Sequence, residues 1–147
     1  MIVQKFNDFV LEKMKIIPIN NDELDKISEY KPNELYLLKN PKLSDLKCFD
    51  ILETKQYYYI FLTNDCGKSI NNIKGWLYGN GYDAFRIENY YVSSLGMNNF
   101  TDDLKCRTNN TYDITNVYRG LNPEKCYKMN FYEIYDEMKE KLCDIKK

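Results

Sequence analysis

Histidine is missing altogether from the 147 residues. That absence removes imidazole triads and dyads, two-histidine phosphoesterases, HNH-type nucleases and most transition-metal sites. Imidazole is the only side chain whose ordinary pKa lies near neutrality. An enzyme built on this chain would have to work with carboxylates, Lys, Tyr or Cys, so catalysis is not the leading expectation and no catalytic residue is named. The five cysteines show no pairing pattern: Cys48, Cys66, Cys106, Cys126 and Cys143 form no CxxC, and no histidine completes a zinc site. They are expected to be reduced, structural thiols, and no metal or cofactor is expected.

An excess of one charge is missing too. Lys plus Arg is 21 and Asp plus Glu is 22, for a net charge of −1. Proteins that hold duplex DNA by neutralising phosphates carry a basic excess or stripe, which is absent here. Long apolar runs are also lacking. The longest, residues 57–62, is far too short to span a bilayer. Residues 1–15 alternate apolar and charged positions, unlike the unbroken apolar stretch of a signal peptide. A cytoplasmic protein with no membrane contact is the expectation.

Alanine occurs once, at Ala84, and Arg three times against 18 Lys, while Asn occurs 17 times. This bias is that of an A/T-rich gene, as in low-GC bacteria, their phages and plasmids, and some parasites and viruses. Tyrosine, with 14 copies, is the amphipathic contact residue of many interfaces.

Periodicity places the elements. Residues 2–15 read as an amphipathic helix ended by Pro18, with Val3, Phe6, Val10 and Met14 on one face. Asn20 or Asn21 caps a short second helix, with Glu23 placed for a capping box and Leu24 and Ile27 inward. Residues 34–38 read as a strand or edge segment. Residues 46–52 and 56–63 read as a β-hairpin around Glu53-Thr54-Lys55, rich in the branched and aromatic residues that suit a pleated surface. A helix over 68–78 follows, stopped by Gly79 and Asn80-Gly81, and then a strand over 84–93. Residues 94–129 are polar and irregular, and a long irregular segment inside a domain is usually functional or disordered. The last helix, 131–145, is capped by Asn130 and carries the stripe Phe131, Ile134, Tyr135, Met138, Leu142 and Ile145. Its carboxylates Glu133, Asp136 and Glu137 have metal-ligand spacing but lie opposite that stripe, on the face expected to be solvated. No repeat or linker interrupts the chain. The expectation is one α+β domain over 1–147: a small, mainly antiparallel sheet with flanking helices and a long irregular segment before the C-terminal helix.

Gly67-Lys68-Ser69, after an apolar run and before a helical pattern, is the tail of a phosphate-binding loop. A full loop needs GxxxxGK[ST], and the position of the first glycine is taken by Leu62, so nucleotide hydrolysis is not expected. Gly67, Lys68 and Ser69 are retained only as a weak anion site at a helix N-terminus. The three arginines stand where lysine is the default cation, and Arg offers a planar fork that Lys cannot replace. Arg86 and Tyr90 on the 84–93 strand, with Arg107, Tyr112, Tyr118 and Arg119 in the irregular segment, are the expected partner contacts.

The function expected from these exclusions is non-catalytic. It is an inhibitor or adaptor from an A/T-rich mobile element, of the phage anti-defence type such as an anti-CRISPR, binding a larger host protein or ribonucleoprotein. The alternative is a single-stranded nucleic-acid or nucleotide-binding module, with tyrosines 57–59 and 90–91 forming a stacking sheet face.

Overall fold

The computed structural model describes residues 15–62, 83–86, 94–122, 136 and 138–141. Among them seven strands form one mixed sheet in the order β1-β2-β7-β3-β4-β5-β6. They are β1 (Lys15–Ile19), β2 (Glu34–Leu38), β3 (Ile51–Glu53), β4 (Tyr58–Phe61), β5 (Ala84–Arg86), β6 (Ser94–Leu95) and β7 (Asn116–Arg119). The β1–β2 pair is parallel and the other five pairs are antiparallel. Mostly sheet with some helix, the architecture is compatible with the α+β class. The flanking helices expected over 2–14 and 68–78 lie outside the described residues. Of the C-terminal helix, Asp136 and Met138–Lys141 are helical, with Met138 buried and Asp136 exposed as the apolar stripe requires.

Local chemistry explains the elements. Lys15, expected to end the helix over 2–15, instead opens the terminal strand of the order, because Ile16, Ile17 and Ile19 favour the pleat. Pro18 removes one amide donor, which a sheet tolerates at its edge. A parallel pair needs a crossover. Residues 20–33 provide it, with the short helix α1 (Asn21–Leu24) behind Asn20. The Asn20 amide donates to the Glu23 carboxylate at 3.2 Å, and Leu24 is buried as expected. The hairpin is present, but its first strand covers only Ile51–Glu53 instead of 46–52, and Glu53, expected in the turn, ends that strand opposite Tyr58. Its turn is pinned by buried Thr54, whose Oγ1 donates to the Tyr57 carbonyl at 2.9 Å and accepts from the Tyr57 N–H at 3.1 Å.

Both faces of the central strands are covered. Ile51, Ile60, Phe85 and Leu35 are inaccessible on one face, and Leu52, Tyr59, Ala84 and Val117 on the other. Each such apolar side chain contributes about 1.5–3 kcal/mol on burial. A layer buried on both faces reads as near-continuous apolar sequence rather than alternation. The second face is covered by Leu95, Met97, Phe100, Leu104 and Ile114, with Ile19, Leu24, Leu38 and Leu46 in the same cluster. Residues 94–122, expected to be irregular and exposed, therefore supply a central strand and half of one core layer.

Cys48 corrects another expectation. It is disulfide-bonded, and since Cys106 is free its partner lies outside the described residues. Sequence spacing cannot show a pairing made only by the fold. Disulfides belong mainly to oxidising compartments. Among the described residues no helix is long and apolar enough to cross a membrane.

Candidate functional site

Register brings five strand ends to one end of the sheet: Leu38 of β2, Asn116 of β7, Glu53 of β3, Tyr58 of β4 and Arg86 of β5. Three side-chain groupings stand there or beside it.

The first is centred on Glu53, which is half-buried. Its carboxylate accepts from Tyr58 Oη at 2.7 Å, Asn116 Nδ2 at 2.7 Å and Tyr118 Oη at 3.0 Å. Tyr58 and Asn116 face Glu53 directly across the two neighbouring strands. Burial, then the bond to Glu53 and its charge, push the Tyr118 hydroxyl up to about 12. The same causes raise Tyr58 further. Neither hydroxyl releases a proton near neutrality, so the cluster locks three strands and is not an acid–base pair. The sign of its pH dependence follows from linkage. A tyrosine raised in the folded state gives stability that is whole below its ordinary 10.0 and is lost as pH climbs towards about 12. Chemical denaturation across that window should show stability falling, with a shallower fall in Tyr118→Phe. Equal slopes would show that Tyr118 does not carry the linkage.

The second is Arg86, whose guanidinium carbon lies 3.6 Å from the centroid of the Tyr57 ring, a cation–π stack. The third is the loop 99–115, which is irregular yet braced throughout. Phe100 and Cys106 form an isolated bridge. The Arg107 N–H donates to the Asn99 carbonyl at 2.7 Å, and the Cys106 N–H to Asp113 Oδ1 at 2.7 Å. Asn109 caps the turn Asn110–Tyr112 by accepting from the Thr111 N–H at 2.9 Å. Phe100, Leu104 and Ile114 anchor the loop in the core, while Lys105, Arg107, Thr108, Asn109 and Asn110 face outward. Burial pushes the Cys106 thiol up. The Thr108 hydroxyl, 3.3 Å from Sγ, and the N–H groups of Thr108 and Asn109 outweigh it and bring the thiol below its ordinary value.

Next to this loop is a groove of about 400 Å³, walled by residues 40–42, 103–105 and 114–117. Lys42 and Asp103 form an exposed ion pair across it.

The expected contacts fare differently. Arg107 is exposed, Tyr112 is half-buried against the core, and Arg86 is stacked on Tyr57. Tyr118 and Arg119 are corrected: both are buried, because they belong to a central strand covered on both faces. Arg119 forms a two-pronged pair with fully buried Asp50 at 2.8 Å for each prong. Tyr90 and the weak anion site Gly67, Lys68 and Ser69 lie outside the described residues, as do Glu133 and Glu137. Asp136 is exposed, and no group of three or more metal-ligating side chains occurs among the described residues. Of the stacking face expected of a nucleic-acid module, Tyr59 is fully buried, Tyr58 is held by Glu53 and Tyr57 lies under Arg86, while tyrosines 90–91 lie outside the described residues. Glu53, Asn116 and the groove were missed. Placing Glu53 in the hairpin turn hid its contact with Tyr58, and the groove joins segments far apart in sequence.

Compared with protein-family models, curated proteins and solved structures, the chain matches none of them, so the reading of its function rests on the geometry above.

Proposed function

We propose that the chain is a non-catalytic protein-binding module, an inhibitor or adaptor that engages a larger protein or ribonucleoprotein through the 99–115 loop. One observation carries the reading. A loop with almost no regular structure is held in a single shape by its own hydrogen bonds and three core anchors, and it turns Arg107 and part of Tyr112 outward. A preordered loop loses little conformational freedom on binding, which raises affinity without added area. Arg and Tyr are the residues that dominate binding energy at interface centres.

The phage anti-defence class, anti-CRISPR proteins among them, is the kind of inhibitor that the coding bias supports. A cytoplasmic location is part of that reading. Thiol labelling in the native compartment tests it against the oxidising location that the Cys48 disulfide suits.

The test is affinity capture of the tagged chain from its host, followed by affinity measurement on loop variants. Arg107→Ala and Tyr112→Ser should weaken the captured complex by about tenfold or more, roughly 1.4 kcal/mol per decade. Arg107 is exposed, so its variant should keep the wild-type melting temperature. Wild-type affinity in both variants would remove the loop from the interface.

A further inference from the structure

The outer edge of β1 carries backbone groups that the sheet leaves unused. In the parallel pair the Lys15 N–H donates to the Asn33 carbonyl at 2.8 Å, and the Ile19 carbonyl accepts from the Lys39 N–H at 3.0 Å. Backbone groups of successive residues point to opposite sides of a strand, so Lys15, Ile17 and Ile19 bond inward to β2. Ile16 and Pro18 point outward, and among the described residues no strand lies beyond them. Pro18 has no N–H. Ile16 is therefore the one position of this described edge that can both donate and accept.

The side chains there are not those of an ordinary edge. Natural edges are blunted by charge and proline, and Lys15 and Pro18 do this at either side. Between them stand Ile16 and Ile17, apolar on consecutive positions and hence on both faces, which is the pattern of an interior strand. Ile17 is half-buried. Ile16, at 42%, is the one large apolar side chain left exposed among the described residues.

We propose that this edge pairs with β1 of a second copy of the chain, antiparallel and centred on Ile16, so that two sheets become one. Backbone groups at strand spacing are met by another extended backbone, and β1 is itself an extended, consecutively apolar segment with a free edge. A twofold axis at Ile16 lets each Ile16 N–H donate to the Ile16 carbonyl of the other copy, the reciprocal pair of an antiparallel ladder. It also sets the two exposed isoleucines side by side on one face. Each Lys15 then stands opposite Ile17 of the other copy, where its stem covers apolar surface and no like charges face each other. The pairing uses both edges, so it closes at two chains. Strands of five residues bury less than the roughly 800 Å² per partner of a standard interface, so the dimer is weak. Pairing here uses no residue of the 99–115 loop and neither needs nor excludes a partner there.

Sedimentation equilibrium of the full chain, with free thiols alkylated so that no disulfide joins two chains, should show monomer passing to dimer between about 10 μM and about 1 mM. Over that range amide exchange at Ile16 should slow in step with the dimer fraction, while Ile17, bonded inward, stays unchanged. Ile16→Lys sets two ammonium groups face to face and should weaken dimerisation by about tenfold or more. Its melting temperature at low concentration should match the wild type, because the side chain replaced is exposed. A chain that stays monomeric throughout, an equally strong dimer in Ile16→Lys, or a dimer without slowed exchange at Ile16 would overturn the proposal. Slowed exchange at Ile16 only in complex with a captured host protein would also overturn it, and would assign the edge to a foreign strand.

Discussion

Replacing Arg119 with methionine should lower the unfolding free energy by about 3–5 kcal/mol, the usual cost of removing one partner from a buried ion pair. Asp50 is fully buried, and both of its oxygens accept from Arg119, with Lys47 N–H adding a bond of 2.7 Å. Arg119 also donates to the Asp45 carbonyl at 2.9 Å. Burial pushes the Asp50 carboxyl above its ordinary value, and the guanidinium and the Lys47 amide pull against that rise. Without Arg119 the desolvation remains and its main compensation is gone. The double variant Asp50→Leu with Arg119→Met should recover much of the loss, since an apolar pair carries no such penalty. Urea denaturation of the two singles and the double checks this. A double variant no better than the worse single would show that the pair is not the isolated unit described.

That outcome bears on how the arginines were read. Scarcity of Arg marked Arg119 as a residue needing a planar fork, and the fork is indeed used, but on an internal carboxylate. Asp50 is 69 residues away in sequence, so nothing local to Val117-Tyr118-Arg119 announces its partner. The hairpin, by contrast, was legible as an element because two branched and aromatic runs flank a short polar turn, although its first strand begins only at Ile51. The strand over 34–38 was legible for the same reason. Strand β7 was only partly legible. It is four residues long, lies among Asn- and Gly-rich turns, and depends for its formation on β2 and β3 at either side. Tertiary pairing overrode a weak local signal. In the loop Arg107 is exposed and Tyr112 half-buried. Its anchors Phe100, Leu104 and Ile114 were not seen as core, because their spacing follows neither a helix nor a strand.

The second large effect lies where the C-terminal helical residues meet the sheet. Lys141 is 1% exposed, and its ammonium donates to the carbonyls of Gly120 at 2.6 Å, Glu34 at 3.3 Å and Lys31 at 3.5 Å. One side chain thereby joins the helix to the end of β7, the start of β2 and the turn before it. The stripe expected for this helix omitted Lys141, although it lies three positions after buried Met138 and so on the same side. Space for the lysine is set by Gly120. A Cβ there would stand 2.6 Å from Leu35 Cδ2, closer than such atoms approach, and a tight 3.0 Å from Lys141 Nζ. Lys141→Met keeps the stem and removes the donors, and each carbonyl left buried and unpaired costs about 1–3 kcal/mol. Lys141→Ala also loses the stem's packing, which carries the expected total to about 4 kcal/mol. Gly120→Ala should destabilise in the same way, by crowding the lysine and fully buried Leu35, at about 1–3 kcal/mol. Glu140, exposed on the adjacent position, is the control, and Glu140→Ala should stay within about 0.5 kcal/mol. If urea denaturation finds Lys141→Ala as harmless as Glu140→Ala, the helix does not pack on Gly120 and Leu35, and the covering of that face of the sheet must be assigned to another part of the chain.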